Sequence, residues 1–496
     1  MLRLPWILLS NLLMWRTLVA YRALVIVPLP SKSHSILGDS LVQLIADAGN
    51  EVIRVEYPEE SLVYVIKRSL LKDFSLFIFS DNLNLTAIVD GAVSFNDVKG
   101  FVTMIRNINW QTLKHKDVQR MLDDPNEKFD VIIAEWMFND VYSGLAPVFD
   151  CPFIWLSMAE HNWNILRTID NIPNPAYTTS VGSTNQPPFN FLQRVQELGF
   201  QISGLLLEYF IRKRGKVVPT YDEVRFNASL VLGNSHVSIG RSISLPLNYV
   251  QIAGYHISNN TKPLTGDLKS LMDNAAHGVI YFSLGTNLRS ETFPDHLKKN
   301  LLKMFGELKQ TVLWKFGDDI PNKPSNVHII KWAPQNSILA HKNCILFITH
   351  GGFLSMIEAA HFGKPLIGIP VFGDQFSNVA GAVHKGFGKK VDLSYTMVKN
   401  ITITVISSYT TRAKELSFTY FHRPTPPAAE LLHWVEHVVK TRGALHLRSH
   451  ALLVPWYQKI YLDLVLMIVV TIFGLKLLIK RLYCTMRRKA DNKKTN

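Results

Sequence analysis

The chain has 496 residues, of which 47% are hydrophobic and 19% are charged, and its formal net charge is +14. This length excludes a single hydrophobic core and predicts two domains with additional segments. The charge does not indicate nucleic-acid binding, because half of the excess (+7) lies between Lys476 and the C-terminus without any RNA-binding motif. The three cysteines exclude a disulfide framework, so no structural disulfide is expected.

The chain begins with the features of a cleaved signal peptide. A basic start is followed by an apolar stretch and by a small residue, Ala20. Residues 1–20 are therefore predicted to be a signal peptide, with a buried first helix as the alternative. Arg16 interrupts the apolar stretch near its C-terminal end, so the sequence does not fix the position of the cleavage site.

Strand and helix patterns then alternate through two halves of the chain. Residues 21–255 begin with ALVIVPLP, a helical stretch and EVIRVEYP, which is the start of a βαβ unit, and KFDVIIAEW and CPFIWLS repeat the pattern. Residues 256–275 contain Pro and Gly and are predicted to be a linker, and residues 276–450 restart with GVIYFSLGT. This alternation predicts an α/β chain with two doubly wound parallel sheets that face a cleft.

The most specific pattern lies between Trp332 and Gln375. A short apolar run ends in His350-Gly-Gly, and the next residues are expected to form a helix with Ser355 at its start. A strand, a glycine turn and a helix N-terminus place free backbone N–H groups and a partial positive charge at one point, which suits a diphosphate. Two glycines alone would be a weak signal, but here a Trp-x-x-Gln precedes them and Asp374-Gln follows.

This segment resembles the nucleotide-sugar signature of the UDP-glycosyltransferases and has the 44 positions (375 − 332 + 1) typical of it. GVIYFSLGT, AGYHI, HWVEHVVKTRGALHLRS and VPWYQKIYLDL are similar to the animal, membrane-bound branch, particularly its invertebrate members. The resemblance covers nearly the whole chain. It implies a GT-B fold, in which a Rossmann-like N-terminal domain binds the acceptor and a Rossmann-like C-terminal domain binds the UDP-sugar.

The resemblance also implies roles for the donor-binding residues. An indole face offers uracil a flat apolar platform, and a histidine beside backbone N–H groups can stabilise the departing UDP without a metal. Taken singly, each residue has a structural alternative, such as a core Trp or a strand-end His, but their joint spacing favours the site. The implied roles are uracil stacking by Trp332, uridine contact by Gln335, diphosphate binding by His350, the amides near Gly352, Ser355 and Ser283, ribose binding by Glu358, and hexose binding by Asp374 and Gln375.

His34 is the candidate general base. It follows the first predicted strand, in the loop expected before the first helix, and such loops face the cleft of a parallel sheet. Imidazole titrates near neutral pH, where the attacking hydroxyl must lose its proton. The family's catalytic histidine occupies this loop and is paired with an Asp, whereas this chain has Glu135 at that place, with Asp140 as the alternative partner.

These features together predict inverting transfer of a hexose from a UDP-sugar to a small lipophilic acceptor with a hydroxyl group, in detoxification or in hormone or pigment conjugation. The invertebrate resemblance favours glucose over glucuronic acid. No cofactor and no metal are expected besides this co-substrate, and a homo-oligomer is compatible with the sequence. An aromatic-rich stretch is compatible with such an acceptor, although aromatic residues are more often core: Trp136, Phe138, Trp155, Trp163 and Phe189.

Two other functions stay open: a catalytically weak lipophile-binding protein with the same fold, and a glycolipid-forming transferase. The first is favoured by Glu135 and by residues 395–415. There the family has a polar helix, whereas this chain reads VKNITITVISSYTT. Its β-branched residues are poor helix formers, so the segment is expected to weaken the second domain.

Residues 460–479 are predicted to span a membrane. As a helix, about twenty residues at about 1.5 Å each cover about 30 Å, one bilayer core. The basic residues of 480–496 mark the cytosolic side and predict a single-pass type I protein of the endoplasmic reticulum with a luminal body. The final Lys-Lys-Thr-Asn resembles a dilysine retrieval signal. Four glycosylation sequons agree with a luminal body: Asn84, Asn227, Asn259 and Asn400.

Overall fold

The structure is a computed structural model that describes residues 20–56, 63–66, 84–91, 98–169, 174–181, 183–213, 225–258, 261–286, 292–401 and 406–494. The predicted signal peptide, apart from Ala20, lies outside the described residues. The sequon residue Asn259 and the last two residues of the retrieval-like ending lie outside them as well.

The first domain is built on a seven-stranded sheet with the order β3-β2-β1-β4-β5-β6-β7 in the described chain. Neighbouring strands are parallel, except that the edge strand β3 runs antiparallel to β2. The strands are β1 (Arg22–Ile26), β2 (Glu51–Val55), β3 (Val63–Ile66), β4 (Val131–Glu135), β5 (Phe153–Ser157), β6 (Leu230–Gly233) and β7 (Tyr249–Gln251).

Helices connect these strands and cover both faces of the sheet. Alternate residues of β1, β4 and β5 belong to two separate apolar clusters, one on each face, which explains why these strands read as continuous apolar runs. The helices are α1 (Lys32–Asp47), α2 (Leu85–Val89), α3 (Val98–Lys114), α4 (Lys116–Asp123), α5 (Leu145–Phe149), α6 (Trp163–Arg167) and α7 (Phe191–Lys213), with a 3-10 turn at Val141–Gly144.

The second domain has a six-stranded, fully parallel sheet with the order β10-β9-β8-β11-β12-β13. Its strands are β8 (Val279–Ser283), β9 (Thr311–Lys315), β10 (Val327–Ile330), β11 (Cys344–Thr349), β12 (Leu366–Gly368) and β13 (Gly388–Lys390). Its helices are α8 (Gly266–Asp273), α9 (Asp295–Gly306), α10 (Gln335–Ala340), α11 (Phe353–His361), α12 (Gln375–His384) and α13 (Ile406–Phe421), with a 3-10 turn at Met397–Asn400. Two doubly wound sheets were the prediction, and both are present.

The predicted linker is part of the second domain. Leu264, Met272 and Ala275 are buried in the same apolar cluster as β8 and β11. Residues 261–275 therefore form helix α8 and its flanks, because their apolar side chains pack against the second sheet. The expectation of a separate linker over these residues is wrong in this respect.

After the second domain, the chain returns to pack against the first domain. Helix α14 (Pro427–Lys440) carries Leu431, Val435 and Val438 at spacings of four and three residues, and all three are buried with side chains of β1, β4 and β5. The predicted second domain, residues 276–450, thus ends too late. Its last part covers the first sheet instead.

A helix begins at Ile406, within the segment of poor helix propensity. Helix α13 packs against α11, and its residues Ala413, Leu416 and Tyr420 are buried at spacings of three and four. Burial of this stripe outweighs the weak intrinsic propensity of the β-branched residues. The expectation that this segment weakens the second domain stays a prediction.

The chain ends in a long apolar helix. After 3-10 turns at Leu445–Leu447 and His450–Leu453 and the short helix α15 (Trp456–Lys459), helix α16 runs over Leu462–Lys494. Its part from Leu462 to Arg487 is long and apolar enough to cross a membrane, and none of the residues there is buried against the protein. It is the one such helix among the described residues. It overlaps the predicted span 460–479.

Candidate active site

The sequence-predicted site residues lie at the carboxyl ends of strands in both sheets, where parallel α/β sheets bind their ligands. In the first domain, β1 leads to His34 and β4 ends at Glu135. In the second domain, β8 ends at Ser283, β11 leads directly to His350, and β12 leads to the loop before Asp374.

His34 and Glu135 are hydrogen-bonded through Nδ1 and Oε1. The neighbouring strands β1 and β4 bring them together, although they are 101 residues apart in sequence. His34 lies in the first turn of α1, because the helix begins at Lys32; the expectation that it lies in the loop before the helix is wrong. Asp140, the alternative partner, instead forms an ion pair with Arg225 at 2.5 Å.

The surroundings of His34 favour its protonated form. Burial by itself lowers the pKa of His34, but the charge and hydrogen bond of Glu135 and the charge of Asp374 together raise it above its ordinary value of 6.5. Because Nδ1 faces Glu135, Nε2 is the ring atom left to accept a proton from a substrate. Asp374 belongs to the second domain, so groups from both domains act on this imidazole.

A second network joins three of the predicted donor-binding residues. Nε2 of Gln335 donates to Oγ of Ser355 at 3.2 Å and to Oε2 of Glu358. The hydroxyl of Tyr281 donates to Oε1 of Gln335 at 3.2 Å, which fixes the orientation of the amide. Glu358 is only 4% exposed, so this carboxylate is held in a defined position rather than solvated on the helix surface.

His256 lies on the other side of the same carboxylate. Its Nε2 is 3.6 Å from Oε1 of Glu358, and its side chain is fully buried. Neither ring nitrogen of His256 has a hydrogen bond among the described residues. Sequence reasoning missed both His256 and Tyr281, although AGYHI and GVIYFSLGT, which contain them, are among the segments that resemble the family.

The imidazole of His350 is packed between two glycines. A Cβ at Gly285, which has a φ of +85°, would lie 2.6 Å from Cε1 of His350, and a Cβ at Gly352 would lie 2.7 Å from its Nε2. Helix α11 starts beside this ring, and no side chain caps its N-terminus. Its free N–H groups therefore remain available to an anion. Ser283 supports the loop by accepting from the backbone N–H of Gly285 at 3.3 Å.

Lys315 places a cation beside Gly285 and His350. Sequence reasoning missed this residue. Its Nζ donates to the carbonyl oxygen of Gly285 at 3.0 Å. Burial lowers the pKa of Lys315 to about 8. Burial and the nearby Lys315 lower the pKa of His350 to about 4, so that imidazole is neutral near pH 7. The feature of the sequence that could have indicated Lys315 was a lysine within the otherwise apolar strand sequence TVLWKF.

Trp332 is an exposed aromatic platform at the domain boundary. Its side chain is 58% exposed, so the alternative of a core aromatic is wrong. Nζ of Lys315 lies 4.9 Å from the ring centroid, and Nζ of Lys32, from the first domain, lies 5.7 Å from it. An exposed indole flanked by cations from two domains suits a flat, anionic ligand.

Asp374 and Gln375 begin helix α12 beside the cleft. Oε1 of Gln375 accepts from the backbone N–H groups of Val371 at 2.8 Å and Phe372 at 3.1 Å, so the side chain fixes the preceding loop. Oδ2 of Asp374 accepts from Nδ2 of Asn378 at 2.8 Å. Burial raises the pKa of Asp374, while Asn378 and His34 act against this rise.

Most of the predicted aromatic stretch is buried: Trp136, Trp155, Trp163 and Phe189 are all in the core, and Phe138 is partly buried. The ring centroids of Trp136 and Phe138 are 5.4 Å apart. Phe189 lines an interdomain cavity. Among the described residues there is no group of three or more His, Cys, Asp or Glu side chains that could hold a metal ion.

A comparison with protein families assigns the chain to a known group. The family described as "UDP-glucoronosyl and UDP-glucosyl transferase" matches residues 66–496. The chain belongs to this family. The family resemblance predicted from the sequence is therefore confirmed, and the protein is a glycosyltransferase.

Similar proteins come from insects, viruses and mammals. UDP-glucosyltransferase 2 of Dactylopius coccus is 35% identical over 377 residues, 73% of each chain. Ecdysteroid UDP-glucosyltransferase of Spodoptera littoralis nuclear polyhedrosis virus is 27% identical over 94% of this chain and 98% of its own. UDP-glucuronosyltransferase 3A1 of Bos taurus is 27% identical over 90% of each chain. Family members named for glucose and for glucuronic acid are thus both related to this chain.

Solved structures show the same fold. The calicheamicin glycosyltransferase CalG4 superposes with a TM-score of 0.55 at 15% identity, over 85% of this chain and 99% of its own. The spinosyn forosaminyltransferase SpnP has a TM-score of 0.51 at 17% identity, over the same shares. The UDP-glycosyltransferase fold of this chain is therefore GT-B, as predicted.

Proposed function

We propose that this glycosyltransferase moves glucose from UDP-glucose to the hydroxyl group of a small lipophilic acceptor, with inversion at the anomeric carbon. The observation that carries this proposal is the hydrogen-bonded His34–Glu135 pair, with Asp374 of the donor domain close enough to act on the same imidazole. This geometry supports a base in the first domain that acts across the cleft on a donor bound by the second domain.

In the proposed reaction, the acceptor oxygen attacks the anomeric carbon while its proton moves to Nε2 of His34. The bond between the anomeric carbon and the β-phosphate oxygen breaks, and UDP leaves with the electron pair. Glu135 stabilises the imidazolium that forms and keeps Nδ1 protonated and facing it. A single displacement of this kind converts an α-linked donor into a β-glycoside.

The second domain would bind the donor and the departing charge. Trp332 would stack on uracil, Gln335 would contact the uridine, and Glu358 would accept from the ribose hydroxyls. The N-terminus of α11 and the ammonium of Lys315 would neutralise the diphosphate. A neutral His350 would act as a hydrogen-bonding group. The remaining proposed contacts are Ser283, Gly352 and Ser355 at the phosphates and Asp374 and Gln375 at the hexose.

Glucose is the proposed sugar because the relative at 35% identity is named as a UDP-glucosyltransferase. A donor screen tests it. Equal concentrations of UDP-glucose and UDP-glucuronate are offered with one generic phenol, and we expect faster product formation from UDP-glucose. Faster transfer from UDP-glucuronate would overturn the choice of sugar, and no transfer from any UDP-sugar, with a working control enzyme, would overturn the enzymatic proposal.

We further propose that α16 anchors the enzyme in the membrane of the endoplasmic reticulum as a single-pass type I protein, with the basic tail on the cytosolic side. The apolar residues of α16 from Leu462 to Arg487, none of which is buried against the protein, support an anchor. Three sequon asparagines within the described chain, Asn84, Asn227 and Asn400, are exposed, which supports a luminal body. Digestion with an endoglycosidase would show a mass shift for a luminal body and none for a cytosolic one.

The alternative of a catalytically weak binding protein has less support from the geometry. It rested on residues 395–415, where a packed helix begins at Ile406, and on Glu135, which contacts His34. A binding protein would bind lipophilic ligands without turnover in microsomes supplied with UDP-glucose. The proposed enzyme would form glucoside.

A further inference from the structure

A cavity of about 630 Å³ lies between the two domains, beside the site described above. This volume is in the range of pockets that bind small organic molecules. Much of its wall is apolar, and both domains contribute to it: Phe189, Ile239, Phe353, Met356 and Phe387. The donor-binding residues proposed above do not line it, so this cavity needs an explanation of its own.

The charged residues of the wall are mostly basic. Arg194, Arg241 and Lys385 line the cavity, and the acidic residue of its described lining is Glu160. Both oxygens of Glu160 are used by Arg241: Oε1 accepts from the backbone N–H at 2.5 Å, and Oε2 accepts from Nη1 at 3.0 Å. Burial lowers the pKa of Lys385, against the effect of Glu160, so an anion beside its ammonium would be favourable.

The wall also contains hydrogen-bond donors without acceptors. Nε and Nη2 of Arg241 and Nε2 of Gln186 are buried and have no partner among the described residues. Buried polar groups are nearly always paired, and an unpaired one is costly. Nε and Nη2 form the edge of a guanidinium that binds a carboxylate with two parallel hydrogen bonds. Each buried, unpaired side-chain atom in the described lining is a donor, so its missing partner is an acceptor.

The cavity is connected to the proposed reaction centre. Asn378 lines it, and Nδ2 of the same residue donates to Oδ2 of Asp374 at 2.8 Å and to the carbonyl oxygen of Gly351 at 3.0 Å. A molecule in the cavity would therefore contact a side chain that holds both the hexose-side carboxylate and the glycine turn of the diphosphate site. Binding here can affect the geometry of both.

We propose that this cavity binds an amphipathic organic acid, whose carboxylate pairs with Arg241, Gln186 and Lys385 and whose apolar body lies against the aromatic and aliphatic wall. Arg241 comes from the first domain and Lys385 from the second, so such a ligand holds the two domains together. Two sources share this chemistry: an acidic acceptor and an acidic effector. The proposal concerns binding and stands independently of the sugar transfer proposed above.

The test compares two probes with the same ring system, the anion 2-naphthoate and the neutral amide 2-naphthamide. Titration calorimetry on the full chain in detergent, without a donor, should show that naphthoate binds about tenfold more tightly or better. The preference should disappear in Arg241→Gln and shrink in Lys385→Gln. Lys390→Gln is the matched control, because it removes an exposed cation of the same domain outside the cavity lining. UDP binding in each variant shows that it is folded.

Equal affinity for the two probes would overturn the proposal, and so would a preference that survives both cavity variants. If Arg241→Gln does not fold because Glu160 loses its partner, Lys385→Gln decides the question. Addition of UDP-glucose separates the two sources. A glucose ester of naphthoate, formed when a carboxylate oxygen bonds to the anomeric carbon and UDP leaves, identifies an acceptor. A changed rate of phenol glucosylation without ester identifies an effector.

Discussion

His34 is a residue on which two carboxylates from different domains act at once. Glu135 holds Nδ1 by a hydrogen bond, and Asp374 adds its charge from the donor domain. A base with a raised pKa is a stronger proton acceptor, but it is neutral over a smaller range of pH. The pH dependence of the reaction therefore reports directly on this pair.

The first prediction concerns that pH dependence. His34 must be neutral to accept a proton, and its pKa is raised, so kcat/KM should be low at acidic pH and rise with a midpoint above 6.5. In Glu135→Gln the midpoint should move to lower pH, because the charge that raises the pKa is gone. Rate profiles between about pH 5 and pH 9 check this. An unchanged midpoint in Glu135→Gln would contradict the assigned pair.

The second prediction concerns Lys315. A lysine with a pKa of about 8 carries its charge below that pH and loses it above, so the affinity of the free enzyme for UDP should fall as the pH rises through about 8. Arginine stays charged over this range, so Lys315→Arg should remove the pH dependence, and Lys315→Met should weaken UDP binding about tenfold or more. Calorimetry at several pH values measures both. Wild-type affinity for UDP in Lys315→Met would show that this cation does not face the diphosphate.

Among individual residues, the sequence predicts those whose side-chain chemistry differs from that of the residues around them. His34 with Glu135, and Gln335 with Ser355 and Glu358, are brought together as the pattern suggested. Lys315 was not predicted, because a single lysine at a strand end is usually solvated and its contact with Gly285 depends on the fold. The role of each residue in catalysis stays a prediction.

Among the elements, the described start of the loop after β8 contains a glycine with a positive φ, Gly285. Gly285→Ala should lower the free energy of unfolding by about 1–3 kcal/mol through its positive φ and should also displace the imidazole of His350. Gly49→Ala is the matched control, since Gly49 has a similar φ of +92° and no atom within 4 Å of a Cβ placed there. Thermal unfolding and UDP affinity measure the two effects. Equal loss of UDP affinity in both variants would contradict a specific clash with His350.

The boundaries of the strands and helices show which elements can be predicted from sequence patterns alone. The strands and most helices follow their apolar periodicity, and both sheets could be predicted from it. Helix α13 could not, because its β-branched start disfavours a helix and only burial of Leu416 and its neighbours against α11 compensates. Helix α1 begins at Lys32, earlier than expected, which moves His34 from a loop into a helix.

In the whole molecule, the chain passes from the first domain to the second and then returns to the first. Helix α14 follows the second domain in sequence but completes the core of the first. Tyr420 of α13 donates a hydrogen bond to the carbonyl oxygen of Ala253 at 2.9 Å. The sequence predicted two domains, a cleft and an apolar C-terminal helix. It did not predict that α14 packs on the first sheet or that α13 contacts the first domain. An apolar stripe on a helix does not specify the sheet against which it packs.

Two truncations test this organisation. Removal of residues 462–496 takes away a helix with no buried residue in its apolar part, so the remaining protein should leave the membrane fraction and stay folded. Removal of residues 427–496 also takes away Leu431, Val435 and Val438, and this protein should aggregate or unfold. Fractionation and circular dichroism check both. A folded product from the longer deletion would contradict the role of α14 in the first core.

The rate of β-glucoside formation from UDP-glucose and a phenol, measured for the wild-type chain and for His34→Ala, tests whether His34 is the base. We expect turnover in the wild type and a loss of about 10²–10⁴-fold in the variant, because general base catalysis contributes that much. UDP affinity should stay unchanged, since His34 does not contact the nucleotide in the proposed complex. Undiminished turnover in His34→Ala would contradict the assignment of the base and with it the proposed mechanism.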